Sequence, residues 1–350
     1  MKTNVLIIGS GGRVRNNFIP AFHCLRHKHN IIGLYSPTKA NREAVCNKWN
    51  IPVIESLEAV DFEAVDIVVI SITTDFVPAV LKQIHRMCKG KTLIVDTPVF
   101  EYIKDFRATL YLLSFSKVVV TEDYLNYPQF GVMREVIVNN VLGEIKNITL
   151  SHTGYRHHAL AVVRSFVGLK KVWSIKRNSK NTTTLSFSDG VSATIIEPYQ
   201  RLDGWVKIEG SKGTLLYDPQ GGYTGQIDDS YLILKESVSP SGIATFELNR
   251  LSIPSTRQPK HFATLKQLEI EDTSDFNTFK SCGLIDVFES IYVDNDARPY
   301  TWQQALYDTA LSKFIWKVKR LPDWFNHAVP SFWIYQLLTC AFWKTLKTRD

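Results

Sequence analysis

The densest run of residue types able to do chemistry is Gly9-Ser10-Gly11-Gly12-Arg13-Val14, directly after the apolar run Val5 to Ile8. A buried strand, a glycine turn and a segment able to form a helix, in that order, suit the diphosphate of a dinucleotide. Gly9 permits the tight turn, and Gly11 lets backbone N–H groups approach phosphates at the positive end of the helix. The third glycine of the G-x-G-x-x-G spacing falls on Val14, so the fingerprint is incomplete and a plain βα turn is the competing reading. Ser10, Gly12, Arg13 and Val14 complete the stretch assigned to the cofactor. Asn30 to Tyr35 reads as a second strand ending at Ser36. An NAD-preferring site usually carries an acid at this place for the ribose 2′-hydroxyl. Ser36 with Lys39 and Arg42 just beyond suits a 2′-phosphate instead, which favours NADP over NAD. The alternative is that Lys39 and Arg42 are solvated helix residues.

A second group lies further along. His158 is the first candidate for a general acid or base, because an imidazole titrates near neutral pH. His157 beside it is equally available, and both can also be packed or solvated helix residues. Tyr127 can supply a phenolic proton where a pocket or cation assists it, or else packs ahead of Pro128. Tyr155, just before the histidines, is a further candidate. Glu122 and Asp123 can orient substrate hydroxyls or a histidine, or belong to a solvated loop. The five cysteines are far apart and form no C-x-x-C pair. That points to a reducing compartment and away from a disulfide framework or metal site.

The elements that must hold these residues alternate strand with helix to about residue 120. Asp66 to Ile72 is a buried strand with Thr73 and Thr74 at its end, and Thr92 to Val95 is another, closed by Asp96-Thr97-Pro98. Val118 to Thr121 is a sixth strand, Pro52 to Ile54 a short one, and Ala40 to Trp49 and Val77 to Met87 are helices. The pattern is a doubly wound parallel sheet. Its carboxyl edge faces the ligand crevice, which adds Ser71, Thr73, Thr74 and Asp96 to the cofactor contacts. Beyond it, Lys146 to Ser151, Val172 to Lys176, Thr182 to Phe187, Ser192 to Ile196, Trp205 to Ile208, Thr214 to Tyr217 and Tyr231 to Leu234 are short strand candidates between turn signals. At 350 residues there is room for two domains, and 45% hydrophobic against 21% charged residues is ordinary for a globular protein. The net charge of +7 admits an anionic ligand such as a nucleotide phosphate. With Lys and Arg scattered and no basic-aromatic motif, nucleic acid is not expected as a partner. No signal peptide or stretch of transmembrane length is visible, so the expected location is cytoplasmic.

From about residue 3 to 320 the sequence resembles the Gfo/Idh/MocA oxidoreductases, the glucose–fructose oxidoreductase and inositol dehydrogenase group. The resemblance rests on GSGGRVRNNFIPAF, VDIVVISITT, TLIVDTPVF, NYPQFGVMREVIVNNVLGEI, GYRHHALAVVRSFVG, WVKIEGSKGTLLYD and DARPYTWQQALYDTALSKF, in that order. It implies a Rossmann nucleotide-binding domain over 1–121 and an α+β domain with a large, mostly antiparallel sheet over 122–320. The closing helix would pack back on the first domain. The implied activity is hydride transfer between a nicotinamide and a small polar substrate, a sugar or nucleotide-sugar derivative, in a homo-oligomer serving carbohydrate metabolism.

The family's Glu-Lys-Pro motif falls on Asp96-Thr97-Pro98, so its lysine is replaced by Thr97. The Asp-x-x-x-His-x-x-Asp pattern falls on Gly154 to Ala161, which keeps His158 and loses both acids, and the frequent His-Pro falls on Tyr127-Pro128. A neutral hydroxyl gives about 1 kcal/mol where a charged donor gives about 2 or 3. The resemblance therefore leaves two alternatives: reduction of an imine or conjugated double bond on the same fold, or nucleotide binding without turnover.

The chain then runs on through 321–350, where Ser331 to Leu346 is apolar and aromatic but too short to span a bilayer. It reads as a docked helix covering a groove, or as an interfacial helix with Trp333 and Trp343 at headgroup level.

Overall fold

A computed structural model describes residues 2–151, 155–197, 204–219, 222–227, 230–238, 244–248, 251–254, 261–292 and 300–318. The tail at 321–350 lies outside the described residues. Among the described residues the chain divides into two compact units, Met1–Asp123 with Pro259–Leu306, and Tyr124–Gln258 with Tyr307–Val318.

In the first unit, β1 (Thr3–Ile8), β2 (His29–Tyr35), β3 (Val53–Ile54), β4 (Ile67–Ile70), β5 (Thr92–Asp96) and β6 (Lys117–Thr121) form a parallel sheet in the order 3-2-1-4-5-6. That order reverses between β1 and β4, where a doubly wound sheet opens to a ligand. Val5, Ile7, Val68 and Val69 are 0% exposed, as expected for strands covered on both faces. Helices α1 (Ile19–Cys24), α2 (Lys39–Trp49), α3 (Val77–Ile84) and α4 (Thr109–Leu112) connect the strands. Helix α3 stops at Ile84, three residues short of the apolar pattern; the chain turns there and Gly90 takes a φ of +78°.

The segment leading into α1 is not ordinary helix. Val14–Phe18 is a π turn, widened at the residue where the third glycine of the spacing is missing. Val14 is fully buried and joins the core with Phe18 and Phe22. Phe22 stacks on Phe288 with centroids 4.3 Å apart. Buried Asn17 donates to Asn277 Oδ1 at 2.9 Å and to Ser281 Oγ at 3.0 Å. These partners sit on Asp275–Glu289, a helix with no clear signature in the sequence, whose N-cap Ser274 Oγ accepts from the Asn277 N–H.

The second unit holds α5 (Pro128–Val138), β7 (Ile145–Ser151), α6 (Arg156–Phe166) and β8 to β16 (Val172–Ser179, Thr182–Phe187, Ser192–Ile196, Trp205–Gly210, Gly213–Asp218, Gly222–Ile227, Ser230–Val238, Ala244–Leu248, Leu251–Pro254). The ten strands pair in the order 16-15-14-13-12-11-7-10-9-8, antiparallel throughout except β7 with β10. In β9, Thr183, Leu185 and Phe187 are buried while the alternate residues are half-buried and polar, so one face is packed. The fold is thus a Rossmann sheet followed by an α+β unit with a large, mostly antiparallel sheet. The chain continues through α7 (Phe262–Lys266), α8 (the Asp275–Glu289 helix) and α9 (Trp302–Val318).

Helix α6 is pinned within its unit by an ion pair absent from the sequence reading. Arg164 Nη1 lies 2.6 Å from Asp308 Oδ1 on α9, with side chains 1% and 0% exposed. The remaining guanidinium nitrogens donate to the carbonyls of Leu169 and Lys170 at 2.7 and 2.9 Å. Its plane lies 4.5 Å over the Tyr307 ring, and burial raises that phenol's pKa, keeping it protonated.

Candidate functional site

The first unit gathers its share of the chemistry at the carboxyl edge of the parallel sheet. Gly9 has φ +132°, and a Cβ there would stand 2.0 Å from the Ser71 carbonyl oxygen, so this turn accepts glycine alone. Its N–H donates to the Tyr35 carbonyl at 2.8 Å, tying the turn to β2. Gly11 and Gly12 are exposed. A Cβ on Gly11 would meet no protein atom within 4 Å, and one on Gly12 only the Asn16 amide at 3.9 Å. The fold itself needs Gly9, while the space beside Gly11 and Gly12 is left to whatever approaches the backbone from outside. Val14 points into the core, so its methyls do not fill that space.

At the end of β2, buried Ser36 accepts a hydrogen bond from Ser10 Oγ at 2.8 Å. The two cations proposed for a 2′-phosphate separate. Lys39 opens α2 with a side chain 74% exposed and a loose contact to Glu43 at 3.7 Å. Arg42 is buried: it donates to the Ser36 carbonyl at 2.8 Å and pairs with Glu55.

Asp96 is the hub at the end of β5. Its carboxylate accepts from Thr121 Oγ1 at 2.7 Å, Ser71 Oγ at 2.9 Å and the Thr97 N–H at 3.1 Å. Arg13 reaches across from the glycine turn, 3.5 Å from Asp96 and 3.1 Å from Asp123. Thr97 Oγ1 donates to Glu122 at 3.2 Å, and Glu122 and Asp123 are 2% and 1% exposed, which removes the solvated-loop reading. Thr73 is exposed and Thr74 half-buried in the turn just ahead of α3. Thr121 could have been found from register, because β5 and β6 end together with Asp96 opposite Thr121.

In the second unit the candidates form a column of rings. Tyr124 stacks on Tyr127 at 4.7 Å and on His158 at 4.1 Å. His158 neighbours His157 at 4.1 Å, and Tyr155 lies 6.0 Å from His157. Tyr127 and His158 are buried at 2% and 8% exposure, whereas Tyr155 is half exposed. Tyr127 precedes Pro128 at the first position of α5, and Tyr155 is the N-cap residue of α6. Tyr124 was not among the sequence candidates, although Tyr124, Tyr127 and Phe130 recur at a helical spacing of three.

Chemically, the first set offers backbone amides at a helix start and a polar sheet edge, which fit a dinucleotide. The second offers an imidazole and a phenol able to move a proton. Among the described residues, no three His, Cys, Asp or Glu side chains are placed to hold a metal ion. No described helix is long and apolar enough to cross a membrane.

Residues 3–124 match the Gfo/Idh/MocA family, described as an oxidoreductase family with an NAD-binding Rossmann fold. No protein with a curated description is similar in sequence. Among solved structures, an oxidoreductase from Agrobacterium radiobacter in complex with NAD+, L-tartaric acid and magnesium is 14% identical with TM-score 0.68, covering 95% of this chain and 99% of that one. A levoglucosan dehydrogenase in complex with NADH and levoglucosan is 10% identical with TM-score 0.68, covering 95% and 100%. An NAD-binding oxidoreductase from Klebsiella pneumoniae is 12% identical with TM-score 0.70, covering 95% and 99%. These likenesses are of fold. The match to the Gfo/Idh/MocA oxidoreductase family lies in residues 3–124, the stretch that holds the parallel sheet.

Proposed function

We propose that the protein is an NAD(P)-dependent oxidoreductase passing hydride between a nicotinamide and a small polar substrate, a sugar or nucleotide-sugar derivative. The observation that carries this reading is the open backbone at Gly11 and Gly12, beside a Gly9 that packing alone requires. A bound nicotinamide supplies or accepts the hydride. The chain's own residues do the rest: the turn set by Gly9 presents the amides of residues 10–14 to the diphosphate, and Ser71, Thr73, Thr74 and Asp96 line the sheet edge. Lys39, with its exposed amine, is the cation for a 2′-phosphate, which favours NADP; Arg42 supports the Ser36 backbone instead. His158 gives or takes the proton at the substrate, with Tyr127 next in line and Glu122, Tyr155 and His157 around the substrate. Residues 1–121 form the nucleotide part and 122–320 the substrate part. The sugar class is supported by the levoglucosan complex on the same fold.

One observation favours a second reading. The Thr97 hydroxyl donates to Glu122, so it does not polarise a substrate oxygen as a cationic lysine does. Reduction of an imine or conjugated double bond needs no such lysine. Titration of intrinsic fluorescence with NADPH and NADH, followed by NADPH oxidation with sugars, nucleotide sugars, imines and enones, tests both. Turnover with sugar-derived carbonyls supports the first reading and turnover with imines or enones the second. Tight binding without turnover leaves a silent nucleotide-binding protein. Failure to bind either nucleotide overturns all three.

A further inference from the structure

We propose that Tyr124 is the positioning residue for His158: its ring fixes the plane of the imidazole and favours the protonated form. This rests on the reading of His158 as the proton-handling group. The two rings lie 4.1 Å apart and 13° from parallel, with Tyr124 4% and His158 8% exposed. Tyr124 is itself held by Tyr127 at 4.7 Å and 19°, and Tyr127 by Phe130 at 6.1 Å and 5°. The support therefore runs from the first turn of α5 to the start of α6.

Burial penalises a charged imidazole, so a buried histidine loses basicity unless something offsets the loss. The face of an aromatic ring carries partial negative charge and attracts a cation stacked on it. Tyr124 presents its face to His158 and is placed to supply that offset. Near His158 also stand His157 at 4.1 Å and Tyr155 at 6.3 Å, and Arg156, two residues earlier, pairs with Glu197 at 2.6 Å. Two imidazoles this close do not both take a proton near neutral pH. Of the two, His158 has the closer stacked ring, Tyr124 at 4.1 Å against Tyr155 at 6.0 Å from His157, so the stack favours a proton on His158. Tyr155 is half exposed and 6.3 Å away, too loosely held to compete for this role.

The test uses the full chain labelled with 13C-histidine, with the His158 resonance identified by its loss in His158→Gln. In the unsubstituted protein the His158 ring protons resonate upfield, shielded by the stacked ring. Tyr124→Phe keeps the aromatic face and the His158 titration. Tyr124→Leu removes the face and lowers the His158 pKa by about one unit. The limb of the kcat–pH profile set by His158 moves by the same amount. A His158 resonance at the position of a solvated imidazole overturns the proposal, as does an unchanged titration in Tyr124→Leu. If circular dichroism finds Tyr124→Leu unfolded, the shielding in the unsubstituted protein decides alone. Absence of turnover in every form, with the stack and titration intact, counts against the oxidoreductase reading and leaves the proposal standing. Turnover with an unstacked His158 does the reverse.

Discussion

The two units build their candidate chemistry from different material. At the edge of the parallel sheet the candidate binding groups are backbone amides, and the residues that matter are glycines defined by what they lack. Around His158 the groups are side-chain rings whose positions depend on other side chains. A backbone site survives wide change in sequence as long as the turn survives, and residues 3–124 still match the Gfo/Idh/MocA family. A side-chain site is rewritten residue by residue, and the departures at Thr97 and at the acids around His158 fall in side-chain chemistry.

The largest expected effect lies in the second unit. Arg164→Met leaves Asp308 buried and unpaired, and should cost about 3–5 kcal/mol, read from chemical denaturation. Recovery with Asp308→Asn added would identify the uncompensated charge as the cause. In the first unit, Gly9→Ala forces a Cβ against the Ser71 carbonyl and should cost about 3 kcal/mol by the same measurement. These two substitutions act on stability and damage either unit.

The next two separate the units by function. His158→Gln should lower kcat by about 100-fold, in the range of general acid–base catalysis, while NADPH affinity stays unchanged. Lys39→Ala should weaken NADPH by about twofold to fivefold and leave NADH unaffected, since an exposed charge contributes about 1 kcal/mol or less. Nucleotide titrations and steady-state kinetics read both. Equal losses for the two nucleotides in Lys39→Ala would remove the 2′-phosphate assignment.

The six parallel strands were legible because each is a short apolar run ending in glycine, proline or hydroxyl residues, and covered strands have little other way to look. The glycine turn was legible for the same reason. Arg42 was misleading, because its spacing from Ser36 is right for a phosphate contact while its guanidinium is turned to the Ser36 carbonyl and Glu55. The role of Asp275–Glu289 was not legible: nine of its residues are buried, among them Asn277, Thr278 and Ser281, so its covered surface carries no clean apolar stripe. The Arg164–Asp308 pair spans 144 positions and leaves no local pattern. Tyr124 was within reach through its spacing from Tyr127 and Phe130, a signal that marks a packed face and says nothing of the histidine it holds.

The proposed nucleotide site depends most directly on the backbone at Gly11. Calorimetric titration of NADPH into the unsubstituted protein and into Gly11→Val tests it, with thermal melting as the control for folding. The expected result is saturable one-to-one binding that weakens by about 100-fold in Gly11→Val, on the order of 2.7 kcal/mol, at an unchanged melting temperature. No binding to the unsubstituted protein, or equal binding by the two, would contradict it.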